Sequence, residues 1–265
     1  MITGQRTDTV AGRLSYPAGG RKVDTVDETT RGALRRSLGT RGRAWLLVGT
    51  LAAGLLSAVA LVAAADPADR TFAAISDTAQ SLMSVLTPLF GILLVRDLRR
   101  APDTIGVVPT VLAVLVPAVV VGVGGVLVCA ATVALTPAAV ADEPWRHAGT
   151  VAVGSVLVQG VAGLVGTGLG LLLRSTVLAF VATIVLPLGL FGLLGAVDGL
   201  RPAQPWVTPF GSVRHLLSGE MSVLRWVQWL CVLLIWGVGL NALGAAALRR
   251  RGRPDRVGAP ADGLA

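Results

Sequence analysis

The sequence predicts an all-α fold: a polytopic membrane protein with six transmembrane helices and both termini cytoplasmic. Three observations lead to this prediction. Six apolar stretches contain no acid or base, and each is long enough to cross a bilayer core about 30 Å thick, which takes roughly 20 helical residues. Basic residues concentrate beside alternate stretches. Only 14% of the residues are charged and the mean hydropathy is +0.72, whereas a water-soluble domain carries about 25% charged residues.

The predicted spans occupy residues 44–65, 78–95, 106–133, 149–173, 176–197 and 226–248. Span one is the uncharged run between Arg43 and Asp66. Span two contains Pro88 and span three contains Pro117, and a proline inside a helix removes one backbone hydrogen bond and favours a kink. Such kinks either act as hinges or only shape the helix. Span three is the longest and is expected to use about 25–28 residues before Thr136 and Pro137 end it.

The fourth and fifth spans come from one apolar stretch, 148–197, that is interrupted only by Arg174. A single helix of that length would be about 75 Å long. The sequence therefore predicts two helices joined by a tight turn at Arg174, Ser175 and Thr176. Pro187 lies inside span five. Before span six, Thr208 as a cap, Pro209 at the first helical position and Gly219 as a terminator predict a short helix over residues 210–218 on the outer surface.

The two ends of the chain are polar. Residues 1–30 are Gly-rich and poor in apolar side chains, which predicts a disordered cytoplasmic segment. Residues 31–43 are basic and predict a short helix on the inner membrane surface. The domain of residues 31–250 holds the six spans, and residues 251–265 are expected to form a loose cytoplasmic tail.

The distribution of basic residues orients the chain. With the N-terminus inside, 18 of the 23 basic residues lie on the inner side, which is the positive-inside pattern. The net charge of +8 is then explained by contact with anionic lipid headgroups, and no nucleic acid is expected as a partner. Arginine outnumbers lysine 22 to 1, a bias typical of high-GC bacterial genomes, so a bacterial cytoplasmic membrane is expected.

The deepest polar side chains are Gln159 in span four and Asn241 in span six, while Gln80 lies nearer the outer end of span two. These amides either hydrogen-bond between helices or line a substrate path. No ionisable group is expected deep in a span, which argues against ion pumps and proton-coupled carriers. Cys129 and Cys231 are expected as small apolar residues, although a disulfide is conceivable. We find no catalytic, metal or nucleotide-binding motif, so no cofactor is expected on this chain.

Glycines in span four predict close helix packing. Gly163, Gly166 and Gly170 fall on one side of a helix, and small residues at such spacing let transmembrane helices approach each other. A leucine at position 166 should therefore lower assembly or stability far more than a leucine at Gly154, which lies nearer the outer end.

Four segments together resemble the six-span permease subunit of type-2 ABC transporters, over about residues 31–250. They are RRSLGTRGRAWLL before span one, RDLRRAPDT after span two, LGLLLRSTVLAFVATIVLPLGL around the turn between spans four and five, and TPFGSVRHLLSG before span six. In the second segment Asp97 stands where the family usually has Glu. The resemblance implies an ATP-driven exporter in which this chain forms the substrate pathway.

The same resemblance implies the partners. A separate ABC ATPase subunit, with ATP and Mg, would dock on the inner surface, and a second permease copy or a relative would complete a dimer within the lipid bilayer. The coupling loop to the ATPase would be formed by Arg96, Asp97, Arg99, Arg100 and Thr104. Two other classes stay open: a non-transporting membrane scaffold or regulatory subunit, and a secondary carrier.

Overall fold

The structure, a computed structural model, describes residues 39–100, 106–136 and 141–251. Within these ranges the chain is helical without any strand, and six helices are long and apolar enough to cross a membrane. The predicted all-α, six-span fold is thereby confirmed. Spans one to six, as the names are used below, are Arg41–Ala64, Phe72–Arg100, Val107–Ala134, Ala148–Leu172, Thr176–Ala196 and Val223–Arg251.

Two of the spans are longer helices than their apolar windows predict. Span two begins at Phe72, well before residue 78, because the hydroxyl oxygen of Thr71 accepts a hydrogen bond from the backbone N–H of Ala74 at 3.1 Å. Span six begins at Val223, where Ser222 caps the helix by accepting from the N–H of Arg225 at 3.3 Å. Capping side chains, rather than the loss of hydrophobicity, set these helix ends.

Regular α-helix is interrupted inside spans two and six. Span two consists of Phe72–Leu86 and Pro88–Arg100, with the break at Thr87, immediately before the proline that lacks a backbone N–H. Span six contains a π-helical segment, Leu233–Gly239, between Val223–Val232 and Leu240–Arg251. Pro117 and Pro187 lie inside continuous helices.

Span four is the centre of the molecule, since it packs against spans two, three, five and six and against the loop before span six. Burial differs sharply among the spans: the apolar window of span two is 56% buried and that of span four 44% buried, against 17% for span one and 6% for span five. Spans two, three and four thus form a packed bundle, and span five lies on its outside.

The described helix ends collect on two faces. On the first, which we call the terminal face, Arg43 pairs with Asp97, and Arg251 donates to the carbonyl of Leu172 at 3.2 Å. On the other, the opposite face, the N–H of Phe72 donates to the carbonyl of Pro144 at 2.8 Å. The start of span one and the end of span six therefore lie at the same face.

The loop before span six contains the predicted helix, as Pro209–Leu217, which we call the loop helix. It begins with proline after Thr208, and Gly219 follows its end with a φ of +78°, a conformation that glycine adopts readily. Thr208 is placed as predicted, but its hydroxyl donates to the carbonyl of Gln204 at 2.8 Å and does not cap. The turn between spans four and five also lies where it was predicted, with Ser175 capping span five.

The predictions for residues 1–30 and for the tail lie outside the described residues, apart from Arg251, which ends span six. The same holds for most of the predicted basic helix over 31–43, of which the structure describes only the start of span one.

Candidate functional site

Gln159 lies at the centre of a buried polar cluster that joins spans two, three and four. Its Nε2 donates to the backbone carbonyl of Gln80 at 3.0 Å and to Gln80 Oε1 at 2.8 Å. The hydroxyl of Thr87 donates to Gln159 Oε1 at 2.6 Å. Gln80 Nε2 reaches the carbonyl of Gly122 in span three at 3.2 Å. We call Gln80, Thr87 and Gln159 the amide cluster.

No part of the amide cluster is accessible from outside, because all three side chains have 0% exposed area. Each amide nitrogen donates to another helix, so the cluster stabilises the bundle rather than offering free groups to a substrate. Of the two roles open for Gln159, hydrogen bonding between helices is the one that this geometry displays. Thr87 occupies the break in span two, where a backbone hydrogen bond is lost at Pro88.

Asn241 lies in a second polar contact, at the π-helical part of span six. Its Nδ2 donates to the carbonyl of Leu164 in span four at 2.9 Å and to the carbonyl of Gly237 at 2.6 Å. Its Oδ1 is buried and has no hydrogen-bond partner among the described residues. A wide π turn displaces backbone carbonyls from their usual hydrogen-bond donors. Asn241 donates to one of these carbonyls, that of Gly237.

The glycines of span four lie where other helices come closest. A Cβ atom at Gly166 would stand 2.6 Å from the Cα of Pro88, and one at Gly170 would stand 3.2 Å from the Cα of Ile92. A Cβ at Gly163 would meet Val114 of span three at 3.2 Å, and Gly91 of span two in turn faces the carbonyl of Gly163. These three glycines therefore face spans two and three of the same chain.

Gly154 also lies in a close contact, although a less tight one than that of Gly166. A Cβ atom there would stand 2.9 Å from the backbone oxygen of Leu216, at the end of the loop helix. This contact depends on how the loop folds back over span four, so the residues next to Gly154 in the chain do not indicate it. Gly160 is an open position, where an added Cβ would meet no atom within 4 Å other than those of its own chain neighbours and helix backbone.

At the terminal face, Asp97 is already engaged within the chain. It forms an ion pair with Arg43 at the start of span one, and Arg43 also donates to the carbonyl of Leu93 at 3.3 Å. The Arg43 side chain is 5% exposed and that of Asp97 is 36% exposed. The pair fastens span one to the end of span two.

Arg99 is engaged as well. Its guanidinium donates to the carbonyls of Gly170 at 2.7 Å and Leu171 at 3.0 Å, at the end of span four. The last carbonyls of a helix lack partners in the helix and carry partial negative charge. Arg99, together with Arg251 on Leu172, thus caps span four.

Arg96 and Arg100 are exposed at the same face, and the structure gives neither of them an ion pair or hydrogen bond within the described ranges. The predicted coupling residues therefore divide into two that hold the bundle together, Asp97 and Arg99, and two that are directed outward. Thr104 lies outside the described residues.

A lateral groove opens between span five and the packed bundle. It has a volume of about 260 Å³ and is lined by four elements. These are Ser81, Ser84, Val85 and Pro88 of span two; Val158, Val161, Ala162 and Val165 of span four; Thr183, Ile184, Pro187 and Leu188 of span five; and Pro209, Phe210, Val213 and Arg214 of the loop helix. Val85 and Leu188 are 39% and 53% exposed, so the groove is open towards the surrounding lipid.

A second cavity of about 560 Å³, here the loop cavity, adjoins the groove at the opposite face. Gln204, Arg214, His215, Ser218, Glu220 and Arg225 supply its polar lining. Arg214 lines both spaces. Burial lowers the pKa of His215, and the positive charges of Arg225 and Arg214 lower it further. His215 therefore lies within the electrostatic influence of two arginines, Arg225 and Arg214.

Sequence reasoning missed the pairing of Arg43 with Asp97, and it missed Thr87 and Arg214 as members of these sites. In the sequence, Arg43 looks like an arginine that only orients the chain at the end of an apolar run. Thr87 looks like an ordinary residue of a helix. One available signal was Arg214, a cation within a short apolar helix at the membrane surface.

Comparisons with protein-family models, with curated proteins and with solved structures gave no match.

Proposed function

We propose that this chain is the permease subunit of an ATP-driven exporter, forming the substrate pathway while a separate ATPase subunit supplies the energy. The observation that supports this most directly is the lateral groove. One of its walls belongs to the packed spans two and four, and the other to span five, which is only 6% buried. A groove between a fixed wall and a loosely held one can widen, as a transport path must.

The terminal face offers a surface for the ATPase subunit. Arg96 and Arg100 are exposed at the end of span two, and the same span lines the groove through Ser81, Ser84 and Pro88. A displacement of the end of span two by the ATPase would therefore be transmitted to the groove along this single span. Because Asp97 holds span one and Arg99 holds span four, the neighbouring helix ends would move with it.

Span five is the surface that we assign to a second permease copy. Its large side chains Val181, Val185 and Leu193 are 45%, 57% and 64% exposed. Lipid tails are as apolar as these side chains, so hydrophobicity alone does not favour a second copy over lipid. Association at span five would therefore depend on close packing between helices.

A non-transporting scaffold is the second candidate, and the amide cluster favours it. A bundle in which Gln80, Thr87 and Gln159 are buried and bonded to one another has the rigidity of a structural subunit. The two candidates differ in whether the terminal face binds an ATPase.

The deciding experiment is affinity purification of the chain from its native membranes, followed by identification of bound ATPases. We expect an ATPase subunit to co-elute with the unaltered chain and to be lost from the double variant Arg96→Glu/Arg100→Glu, because charge reversal would repel a partner that docks on these arginines. The matched control is Arg146→Glu, an exposed arginine at the opposite face, which should retain the ATPase.

Equal membrane levels of all three proteins, measured by immunoblot, would show that the variants fold and insert. Absence of any ATPase from the unaltered sample would favour the scaffold. Retention of the ATPase by the double variant would show that these arginines do not form its docking surface.

A further inference from the structure

The lateral groove and the loop cavity adjoin each other at Arg214, and they differ in chemistry: the groove is mainly apolar and the loop cavity is polar. Along the groove most of the lining is apolar, and two of its hydroxyls are engaged: Ser84 donates to the carbonyl of Ser81 at 2.7 Å, and Thr183 to that of Phe180 at 2.7 Å. The groove therefore presents mainly hydrocarbon-like walls. At its end on the opposite face, Arg214 leads into the polar loop cavity.

The size of the groove restricts its occupant. At about 260 Å³ it is below the roughly 300–1,000 Å³ of pockets that enclose drug-sized ligands. From Ser81 to Pro88 it extends along span two for about 10 Å, at 1.5 Å per residue. That is about a third of the hydrocarbon core of a bilayer. The dimensions fit the upper part of one alkyl chain better than a bulky ring system.

The charges at the end of the groove favour an anion. Arg214 has no ion pair or hydrogen bond in the part of the chain that the structure describes, and it is exposed. Arg225 is 3.8 Å from Glu220, which neutralises one carboxylate of the cavity. Asp77 of span two is the other acid near Arg214. Burial is the main cause of the lowered pKa of His215, and the positive charges of Arg225 and Arg214 lower it further.

We propose that the groove and the loop cavity together bind an anionic membrane lipid, with one acyl chain in the groove and the phosphate of the headgroup at Arg214. The lipid enters sideways from the leaflet at the opposite face, past the exposed edges of spans two and five. Val213 and Phe210 of the loop helix cover the upper part of the chain, and the ring of Phe210 is held by Phe191 at a centroid distance of 5.0 Å.

This site does not depend on the proposed exporter function, because it concerns binding and not movement. The lipid is either a cargo or a permanent part of the assembly. Failure of the ATPase to co-purify would leave the site untouched, and absence of the lipid would leave ATPase binding untouched.

The test uses the full chain in nanodiscs with equal amounts of phosphatidylglycerol and phosphatidylcholine of the same acyl chains, each carrying a photoreactive diazirine on the chain in separate samples. Crosslinked peptides are identified by mass spectrometry. We expect crosslinks to the groove segments 81–88, 158–165 and 183–188, with phosphatidylglycerol favoured about fivefold, as one arginine near an anionic headgroup should give. Arg214→Gln should remove this preference, and Arg214→Lys should restore most of it.

Two controls separate the site from general lipid contact. Arg146→Gln, at the same face but outside both cavities, should leave the preference unchanged. Val161→Trp, which fills the groove, should lower crosslinking of both lipids at segment 183–188. Unchanged thermal unfolding of Arg214→Gln would show that the loss is not misfolding, since Arg214 forms no ion pair or hydrogen bond within the described ranges.

Three outcomes would overturn the proposal. Equal labelling by both lipids in the unaltered protein would remove the role of charge. An unchanged preference in Arg214→Gln would place the headgroup elsewhere. Loss of phosphatidylglycerol labelling upon addition of millimolar inorganic phosphate would identify a site for a soluble anion rather than for a lipid.

Discussion

At the scale of single residues, the amide cluster shows how polar side chains are kept inside an apolar bundle. A buried amide without partners is costly, and no water is available in a hydrocarbon core to satisfy it. Gln159 meets this requirement through Gln80 and Thr87, all fully buried. Asn241 meets it only for its Nδ2, while its Oδ1 has no hydrogen-bond partner in the described chain.

We predict that Gln80 and Gln159 stabilise the fold jointly. Replacing Gln159 by Leu removes its bonds to span two and leaves Gln80 Oε1 unpaired, so each single variant should be less stable than the unaltered protein. The double variant Gln80→Leu/Gln159→Leu should lose less than the sum of the singles, with a coupling of about 0.6 kcal/mol, the average for hydrogen bonds between membrane helices, and at most about 1.7 kcal/mol. Unfolding in mixed detergent micelles measures all four proteins. Additive losses would mean that the amides act independently.

The sequence indicated Gln159 as a candidate for bonding between helices but did not pair it with Gln80. Their contact depends on how far span two is shifted along span four, and that shift is set by the meeting of Gly91 with Gly163. Hydropathy locates a span along the chain and leaves its depth relative to a neighbour undetermined. For the same reason Thr87 could not be recognised as a partner.

At the scale of helices, the close approach of spans two and four is made possible by glycine. We predict that Gly166→Ala destabilises the protein by about 1–3 kcal/mol, the usual cost of overpacking, because its Cβ would stand 2.6 Å from the backbone Cα of Pro88. Gly160→Ala is the matched control on the same helix. It meets no atom within 4 Å and should be neutral or slightly stabilising, since alanine favours helix.

Thermal unfolding of the two purified variants gives the comparison. Equal stability of Gly166→Ala and Gly160→Ala would contradict the close approach of the helices at Pro88.

Helix features encoded by neighbouring residues could be predicted, and those encoded by distant contacts could not. The loop helix followed from Thr208, Pro209 and Gly219, and the turn between spans four and five from Arg174. By contrast, the π-helical segment Leu233–Gly239 contains no proline. It coincides with contacts to other elements, namely Asn241 on Leu164 and Trp236 Nε1 on the carbonyl of Val207 at 2.7 Å.

At the scale of the whole molecule, six crossings place residues 41 and 251 at one face, and the distribution of charge predicts that this terminal face is cytoplasmic. A reporter enzyme that is active only outside the cell should therefore give signal when fused after positions 68, 140 and 205, and none after 100 or 255. The reason is the positive-inside rule, with 18 of 23 basic residues on the terminal side. Activity at position 255 would contradict this orientation.

Span five distinguishes a chain that works alone from one that works as a pair. It is the least buried of the six spans, at 6%, and if it faces a second copy, a cysteine at its lipid-facing surface should meet its equivalent. We predict that Val185→Cys, in a background with Cys129 and Cys231 replaced by Ala, forms an oxidant-dependent dimer in native membranes. Val119→Cys, an exposed position at similar depth in span three, should stay monomeric on the same non-reducing gel. Dimers formed only through Val119→Cys would indicate that the second copy contacts span three. If neither variant forms a dimer, span five is covered by lipid and not by a second copy.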